Sequence, residues 1–411
     1  MTAVAFDIPE EIRAARDGLL TFGEKEVLKR HNHYSDLLSD PRKTFDESGR
    51  FNEPVIALIK EVRMASANAG YYHMCVPEAL GGAGLGHLAY YVCWEALFRS
   101  LGPTNWLLVY ALAHWAFGPS RLLEKMTPEA QKRILPTLMN GSESMCFGLS
   151  EPNAGSDATM IKTRAEKTAT GWKLNGRKIW TSNAPIADYC VIFAVTDPDK
   201  VSQKKGGISA FVVPTSSPGF HLQRVIRLFG HIGGDEAELV FEDLEVEPWQ
   251  LLGDIDQGFN AALYGVSLGR IYNSARSVGY GRWALNLALD YAGTREAFGS
   301  TIDKNQGVTF PLAESATELH AAHLMGINAA CLLDSDQLAI KELSMTKAFS
   351  VQVGFRAIDQ AIQTHGGMGL TNELGLTEAW HTLRIINIAD GTNEILNRTI
   401  AQRLLKGDRE L

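Results

Sequence analysis

The sequence contains little cysteine, and its cysteines are not spaced as a group. The five residues Cys75, Cys93, Cys146, Cys190 and Cys331 lie far apart and form no Cys-x-x-Cys pair. Disulfide frameworks and zinc sites both need cysteines at short, repeated spacings. The pattern therefore argues against both, predicts no metal site and is typical of a reducing compartment.

Positive charge and long apolar runs are also scarce. Lysine and arginine total 39 against 47 aspartate and glutamate, a formal net charge of -8, whereas a nucleic-acid backbone requires a basic face. The longest apolar stretch, residues 106–117, is shorter than the ~20 residues that cross a bilayer. No basic segment followed by an apolar one opens the chain, so no secretory signal is expected. We expect a cytoplasmic protein with no membrane span and no nucleic-acid partner.

The first third of the chain has the periodicity of helices. Apolar positions recur at helical spacing after Pro9, and further helical runs cover residues 87–102, 105–118 and 128–141. A glycine-rich break at residues 80–86 interrupts them. Residues 1–140 are therefore predicted to form an all-α domain, in which residues 106–117 are a buried helix.

The middle and the end of the chain have sequence patterns that predict different secondary structures. Short β-rich runs separated by turn residues fill residues 141–252 and predict a small barrel or sandwich. Asn175-Gly176 within them predicts a hairpin. Four long helical runs in residues 253–411 predict a four-helix bundle. The expected fold class is thus α+β, with three domains in the order all-α, β, four-helix bundle.

Five segments could carry chemistry, and each also has a structural interpretation. Residues 147–157 are either a connector or a loop that offers hydroxyl and N–H groups to a heterocycle or phosphate. Trp180 in the next segment is either core or the wall of a flat cofactor, with Ser182 at its polar edge. Arg295 could hold a pyrophosphate or favour a helix C-terminus.

The last two segments lie near the C-terminus. Residues 363–369 are glycine-rich and follow a helix, so they form a helix cap or a surface for close approach of a ligand. Asp390 precedes a glycine, where an aspartate is commonly a turn or cap residue. Its apolar approach, Ile-Ile-Asn-Ile-Ala, would raise the carboxyl pKa in a dry site and so would suit a base.

Taken in order, the motifs resemble the acyl-CoA dehydrogenase family along nearly the whole chain. The matching segments are VPEALGGAG, LSEPNAGSDA, NGRKIWTSNA, FEDLEVEP, TREAFG with Gln306, QTHGGMG and DGT. The resemblance implies FAD as cofactor and α,β-dehydrogenation of an acyl-CoA. It also implies an electron-transferring flavoprotein as acceptor and a homotetramer built as a dimer of dimers.

The resemblance assigns roles position by position. It implies that Ser150 lies near flavin N5, that Trp180 and Ser182 close the other flavin face, and that Asp390 is the catalytic base. Residues expected to contact FAD are Phe147, Leu149, Ser150, Gly155, Ser156, Trp180, Ser182, Arg295, Phe298, Gln306, Gln363, Thr364, His365, Gly366, Gly367, Thr392 and Glu394. Residues expected to contact acyl-CoA are Ser156, Arg270, Ala389, Asp390 and Gly391. Arg295, Phe298 and Gln306 are expected to reach the FAD of a neighbouring subunit.

The sequence departs from the family pattern at several of these positions. Asp390 stands where the family usually has Glu, as in an Asp-bearing minority branch, and Gly269 leaves no alternative base at the other family position. His381 and Thr382 replace the usual Arg-Asp pair. Two other functions therefore remain open, a nitroalkane oxidase-like enzyme with an Asp base and a non-catalytic FAD-binding assembly protein.

The acyl group is expected to be small or ringed. Tyr110, His114 and Trp115 fall in the second helical run, whose family counterpart lines the acyl tail. Bulky rings there favour a short, branched or cyclic acyl group over a long chain. The alternative is that the three side chains are plain core.

Overall fold

The computed structural model describes residues 7–410, so the start of the N-terminal segment inspected for a signal falls outside it. Two compact units are found. The first comprises the described residues up to Leu28, together with Leu85–Val109 and the residues from Val266 onward. The second comprises Lys29–Gly84 and Tyr110–Gly265. The three-domain boundaries at residues 140 and 252 stay a prediction.

The α-helices match most of the predicted helical runs. They are α1 (Glu10–Phe22), α2 (Lys29–His33), α3 (Ser35–Leu38), α4 (Pro41–Thr44), α5 (Glu53–Asn68), α6 (Gly86–Leu101), α7 (Pro128–Met139), α8 (Pro198–Ser202), α9 (Gly258–Thr294), α10 (Gln306–Asp334), α11 (Ile340–His365), α12 (Leu376–Ile386) and α13 (Asn393–Leu405). No helix within residues 7–410 is both long and apolar enough to cross a bilayer.

The strands concentrate between residues 145 and 252. They are β1 (Met145–Gly148), β2 (Arg164–Lys167), β3 (Trp172–Thr181), β4 (Tyr189–Val195), β5 (Ile208–Pro214), β6 (Phe220–Val225), β7 (Ala237–Val246) and β8 (Leu251–Leu252), followed later by β9 (Glu296–Ala297) and β10 (Ser300–Thr301).

The first unit is a helical assembly. In it α10 packs against α6 and α11, α11 also packs against α12 and α13, and α1 packs against α6. The four predicted long helices of the C-terminal part are present as α9, α10, α11 and α13. The fifth helix, α12, is an addition to the predicted four. It is short and amphipathic, and it buries Leu376, Ala379, Leu383 and Ile386.

The second unit is built on one mixed eight-stranded sheet, in the order β6-β7-β3-β2-β4-β5-β8, with β1 pairing in parallel with β4. Both faces of β4 are buried. Val191, Phe193 and Val195 pack on one side with apolar residues of α7, and Ile192 and Ala194 pack on the other. A strand buried on both faces reads as a continuous apolar run, which explains why Tyr-Cys-Val-Ile-Phe-Ala-Val shows no alternation.

The hairpin predicted at Asn175-Gly176 is wrong. These residues lie inside β3, which runs unbroken through a register shift between Leu174 and Gly176 in its pairing with β7. Gly176 has φ +155, and a Cβ there would meet Thr163. The asparagine bonds Asp243 on the neighbouring strand instead of closing a turn. Asn-Gly marks a bulge here, because the chain needs a residue without a side chain at a close approach rather than a reversal.

The buried helix predicted over residues 106–117 is also wrong. Only Trp106–Tyr110 is helical, as a short 3₁₀ segment, and turns follow. Within the second unit, Ala113 N–H donates to Tyr72 O (2.8 Å) and Met145 N–H donates to Phe117 O (2.8 Å). Aromatic and β-branched residues favour helix only weakly, so these tertiary hydrogen bonds determine the backbone path.

Candidate active site

The loop after β1 is tied to β3 by hydrogen bonds from two successive residues of the strand. Ile179 N–H donates to Ser150 O (3.0 Å), and Lys178 Nζ donates to Leu149 O (3.1 Å). The predicted segments 147–157 and 177–183 are therefore brought together within one unit. Gly155 and Ser156 lie further along the loop and are exposed.

A buried ion pair anchors this junction. Lys178 is fully buried and contacts Glu151 Oε1 at 2.8 Å. Glu151 also accepts from Lys162 N–H (2.6 Å), Thr163 N–H (2.9 Å) and Thr163 Oγ1 (2.6 Å). Four donors therefore hold one carboxylate, which satisfies the condition under which a charge can be buried.

The pKa values of the pair reflect these contacts. Burial lowers the pKa of Lys178 to about 8, against the charge of Glu151, which raises it. For Glu151 burial is the largest single influence and raises the pKa, but the Lys178 charge and the hydrogen bonds together outweigh it, so the pKa is lowered. Both groups therefore stay charged near neutral pH. The sequence analysis did not single out either residue. The signal was present, since Lys178 falls in the even register of β3 with the buried Trp172 and Leu174.

Trp180, the next-to-last residue of β3, has an unusual backbone conformation and is exposed. It has φ +60, which a non-glycine residue rarely adopts, and 55% of its surface is exposed. Large exposed rings and strained backbone both mark ligand sites. Ser182 follows, partly buried. An open indole face beside a hydroxyl fits the wall of a flat heterocycle with a polar edge, so the core alternative for Trp180 is not what the structure has.

Phe147 lies at the base of this region. Its ring packs edge-on against Trp115 (centroids 5.0 Å apart) and at a tilt against Phe193 (4.8 Å). Gly265 faces the rings of Trp115 and Phe147, and a Cβ there would lie 2.7 Å from the Trp115 ring. Trp115 is buried and Tyr110 nearly so, whereas His114 is half-buried and stacks on Phe117.

Asp390 lies in the turn between α12 and α13, in the other unit. Asp390 has φ +53 and Gly391 φ +97, two successive residues in the left-handed region. Asn273 Nδ2 donates to Asp390 Oδ2 at 2.7 Å, and Arg270 Nε lies 3.5 Å from Asp390 O. Lys347 Nζ donates to Gly391 O at 2.8 Å. Three side chains from α9 and α11 therefore hold this turn.

The pKa of Asp390 is shifted in the opposite direction to the pKa of Glu151. Asp390 keeps part of its surface accessible, yet burial of its carboxyl is the dominant influence and raises the pKa, against the charges of Lys347 and Arg270 and the Asn273 hydrogen bond. Burial lowers the pKa of Lys347 to about 8, against the attraction of Asp390. Burial also lowers the pKa of Arg270, although a guanidinium remains protonated. A raised carboxyl pKa suits a general base.

The remaining residues near this turn have identifiable local roles. Thr392 caps α13, since its Oγ1 accepts from Ile395 N–H at 3.3 Å. Glu394 is exposed in the first turn of α13, where a negative charge is favourable. Ala389 is exposed beside Asp390.

The predicted pyrophosphate and adenosine residues lie on two neighbouring elements of the same unit. Phe298-Gly299 forms the tight turn of the β9–β10 hairpin, both with positive φ, and Arg295, Phe298 and Gln306 are exposed. The second element is the end of α11. The rings of Tyr291 and His365 lie 4.5 Å apart and connect it to the end of α9.

The glycines at this helix end leave space for a ligand. Gly366 ends α11 with φ +60, so the predicted helix cap is confirmed. A Cβ on Gly366 or Gly367 would meet no atom within 4 Å. Gln363 is exposed and Thr364 half-buried, whereas His365 is buried. An open glycine surface beside the exposed Gln363 fits the close approach of a ligand.

The sequence analysis missed two residues that hold the Asp390 turn from neighbouring helices. Lys347 is fully buried on α11, in phase with Leu343, Ser344 and Val351. A lysine at an apolar phase of an amphipathic helix is the signal that could have found it. Asn273 is buried three residues after Arg270 on α9, and no local pattern in the sequence predicts its bond to Asp390.

The whole chain matches one protein family in three consecutive parts. The acyl-CoA dehydrogenase N-terminal domain matches residues 9–142, the middle domain residues 146–244 and the C-terminal domain residues 256–405. The chain has the three-part fold of that family, with a helical, a β and a second helical domain.

Individual proteins agree with this match. The chain is 32% identical to the caffeyl-CoA reductase-Etf complex subunit CarC of Acetobacterium woodii, covering 96% of this chain and 97% of that one. It is 36% identical to human mitochondrial short-chain specific acyl-CoA dehydrogenase, covering 83% and 81%. The solved butyryl-CoA dehydrogenase of Megasphaera elsdenii superposes with a TM-score of 0.82 at 27% identity, covering 98% and 100%.

Proposed function

This chain belongs to the acyl-CoA dehydrogenase family of FAD-dependent oxidoreductases, and we propose that Asp390 is the base with which it oxidises an acyl-CoA between Cα and Cβ. The observation that carries the proposal is the Asp390 carboxyl itself. It is buried enough to have a raised pKa, it is held through one oxygen by Asn273, and it lies on a turn with two left-handed residues. Strained, over-determined carboxylates of this kind are typical of reacting groups.

The chain's own residues would act on the acyl thioester as follows. Asp390 takes the proton from Cα, and its backbone N–H donates to the thioester oxygen on which negative charge develops. When bound, FAD supplies the two-electron acceptor for the hydride that leaves Cβ. One proton and one hydride leave the substrate, which becomes the α,β-unsaturated thioester. Arg270, charged and mostly buried, favours the anionic carboxylate that the reaction requires.

The flavin-contacting side chains are proposed on the geometry of each unit. Ser150, Trp180 and Ser182 would hold the ring system, since the loop and strand that carry them are fastened together. Gln363, Thr364, His365, Gly366 and Gly367 would hold the pyrophosphate and adenosine half. Thr392 and Glu394 would contact it from the start of α13.

We propose a homotetramer, a dimer of dimers, in which Arg295, Phe298 and Gln306 reach the FAD of a neighbouring subunit. The support is the fully exposed Phe298 ring at a tight turn, which water would otherwise surround. Light scattering of the FAD-bound protein should give four times the chain mass of 45.0 kDa. A monomeric mass with FAD retained would contradict the proposal.

The electron acceptor is proposed to be an electron-transferring flavoprotein. The name of the Acetobacterium woodii relative places that protein in an Etf complex. After anaerobic reduction by substrate, added electron-transferring flavoprotein should restore the oxidised flavin spectrum faster than air does. Faster recovery in air would instead favour an oxidase.

A short, branched or cyclic acyl group remains the proposed substrate class. The support is the packing of the bulky Trp115 ring on Phe147 and Gly265, in the segment whose family counterpart lines the acyl tail. The relatives are named for short-chain and caffeyl thioesters. Efficient oxidation of palmitoyl-CoA with none of butyryl-CoA, isobutyryl-CoA or 3-phenylpropionyl-CoA would contradict it.

The deciding experiment is anaerobic mixing of the FAD-bound enzyme with these thioesters while the flavin absorbance is followed. Bleaching by a thioester but not by its free acid supports the proposed dehydrogenase. No bleaching by any thioester, with oxygen consumption on a nitroalkane, would identify the nitroalkane oxidase-like alternative. Silence toward both would leave the FAD-binding assembly protein.

A further inference from the structure

Lys347 is a buried cation that needs an opposite charge close by. Its side chain is fully buried, and its hydrogen bond goes to an uncharged group, Gly391 O at 2.8 Å. Burying an ammonium costs several kcal/mol unless an opposite charge compensates. Asp390, one residue before Gly391, is the stronger of the two carboxylates that favour protonated Lys347, and Glu394 is the weaker.

The backbone of the turn is held by the same cation and one other. Asp390 and Gly391 both have positive φ, a conformation that residues other than glycine adopt uncommonly. Arg270 Nε approaches the carbonyl of the first residue at 3.5 Å, and Lys347 bonds the carbonyl of the second. Two cations on different helices therefore bind two successive carbonyls of one strained turn.

The carboxylate itself is held asymmetrically. Asn273, which is buried, donates to Oδ2 at 2.7 Å, and within residues 7–410 no hydrogen bond reaches Oδ1. A neutral donor orients the carboxylate without neutralising it. One oxygen is therefore fixed and the other is left to accept a proton.

We propose that Lys347 is a positioning residue for the base, which fixes the Asp390-Gly391 turn through the Gly391 carbonyl and supplies the charge that keeps Asp390 ionised. Asn273 complements it by fixing Oδ2. This inference rests on the proposed function, because a residue can position the base only if Asp390 is that base.

The sign of the pH effect follows from the groups that face Asp390. These are Arg270 and Asn273 from α9, Lys347 from α11, and Glu394 from α13, which acts through Lys347. Lys347 and Arg270 both favour the carboxylate. Removal of the Lys347 charge therefore raises the pKa of Asp390, and the rising limb of the rate against pH moves to higher pH.

Three variants separate the charge from the hydrogen bond. Lys347→Gln keeps a donor without charge, Lys347→Arg keeps both, and Lys347→Met removes both. Lys341→Met is the matched control, because Lys341 is also a fully buried lysine of α11 but binds Asp408. The readout is the pH dependence of flavin reduction by saturating thioester under anaerobic conditions.

We expect Lys347→Gln to lower the rate near neutral pH about tenfold, equivalent to one pKa unit, and to regain most of it at higher pH. Lys347→Arg should keep the rising limb of the rate at the wild-type pH. Lys341→Met should melt at a lower temperature, with its rising limb unshifted. Asn273→Leu should shift the limb in the same direction by less. A Lys347→Gln profile that superimposes on the wild type would overturn the inference.

The premise is tested separately by Asp390→Asn. If that variant reduces its flavin at the wild-type rate, the proposed base is wrong. If it is inactive while Lys347→Gln and Lys347→Met both keep the wild-type limb, the base stands and the role of Lys347 fails. If Lys347→Met does not fold, Lys347→Gln and Lys347→Arg still decide the question.

Discussion

Two buried lysine–carboxylate arrangements, one in each unit, differ in how completely the carboxylate is satisfied. Glu151 accepts four hydrogen bonds, one of them from Lys178 at 2.8 Å. Asp390 accepts one at its carboxylate, from Asn273, and Lys347 bonds the neighbouring carbonyl instead. Burial lowers the pKa of both lysines to about 8.

The difference separates a structural charge from a reactive one. Saturation lowers the pKa of Glu151 despite its burial, so the group stays ionised and cannot take up a proton near neutral pH. For Asp390, burial outweighs the nearby positive charges and the one hydrogen bond from Asn273, so the pKa is raised. Within residues 7–410 its second oxygen accepts no hydrogen bond. A similar pair of charges thus fastens a loop in one unit and prepares a base in the other.

The largest expected effect is the loss of chemistry when Asp390 becomes Asn. The amide keeps the shape and can accept from Asn273, but it cannot take the Cα proton. A general base contributes typically 10²–10⁴-fold, so the rate of flavin reduction by acyl-CoA should fall by about that factor with FAD still bound. Glu151→Gln is the comparison, since its rate per bound flavin should change far less.

The second effect is the converse, a loss of stability at the saturated pair. Lys178→Met leaves a buried carboxylate without its cation, which costs about 3–5 kcal/mol, and it releases Leu149 O beside Ser150. The free energy of unfolding measured with denaturant and the FAD content of the purified protein should both fall. The double variant Lys178→Met with Glu151→Leu should recover much of the free energy of unfolding, because no buried charge remains. A double variant as unstable as Lys178→Met would contradict this account of the pair.

A third, smaller effect concerns the length of the base. Asp390→Glu adds one methylene to a turn that is fixed by Arg270 and Lys347. A displacement of ~1 Å can cost about a hundredfold in rate, so flavin reduction should slow by up to that factor even though Glu is the usual family residue. Faster reduction by the Glu variant would show that the pocket is not fitted to Asp.

Local periodicity and ordered motifs were enough to predict most of the fold. The long helices α9, α10, α11 and α13 follow their apolar spacing closely. The predictions for residues 106–117 and for Asn175-Gly176 were wrong because contacts distant in sequence determine the backbone there. In the first segment these contacts are hydrogen bonds to other segments, and at Gly176 it is a close approach to Thr163.

The candidate site divides in a similar way. Asp390 could be identified as a candidate base through the resemblance of its motif to the family pattern, because an Asp before a Gly by itself indicates a turn or cap. Its partners Asn273 and Lys347 lie more than 40 residues from it in the chain, so their contacts depend on how α9, α11 and the turn pack. The raised pKa, which those contacts and burial set, could not be read from the sequence alone.

The smallest expected effect is a difference in sign between the two carboxylates when stability is measured against pH. The folded pKa of Glu151 is depressed, so its contribution is present above the unfolded value of about 4.3 and is lost as pH falls through the folded pKa. The folded pKa of Asp390 is raised, so its contribution is present below about 3.9 and is lost as pH rises through the folded pKa.

Near neutral pH, Asp390→Asn should therefore melt above the wild type, because burial disfavours the charged carboxyl more than Lys347 and Arg270 favour it. The amide removes that charge and tolerates positive φ as Asp does. Glu151→Gln should melt below the wild type. The Asp390 difference should shrink as the pH falls through the raised folded pKa of Asp390. The Glu151 difference should shrink at lower pH, below the unfolded value of about 4.3. Thermal midpoints at equal FAD and protein concentrations test this, at roughly 2–4 °C per kcal/mol. If Asp390→Asn melts below the wild type near neutral pH, Asp390 contributes to stability as Glu151 does, and the contrast between the two pairs fails.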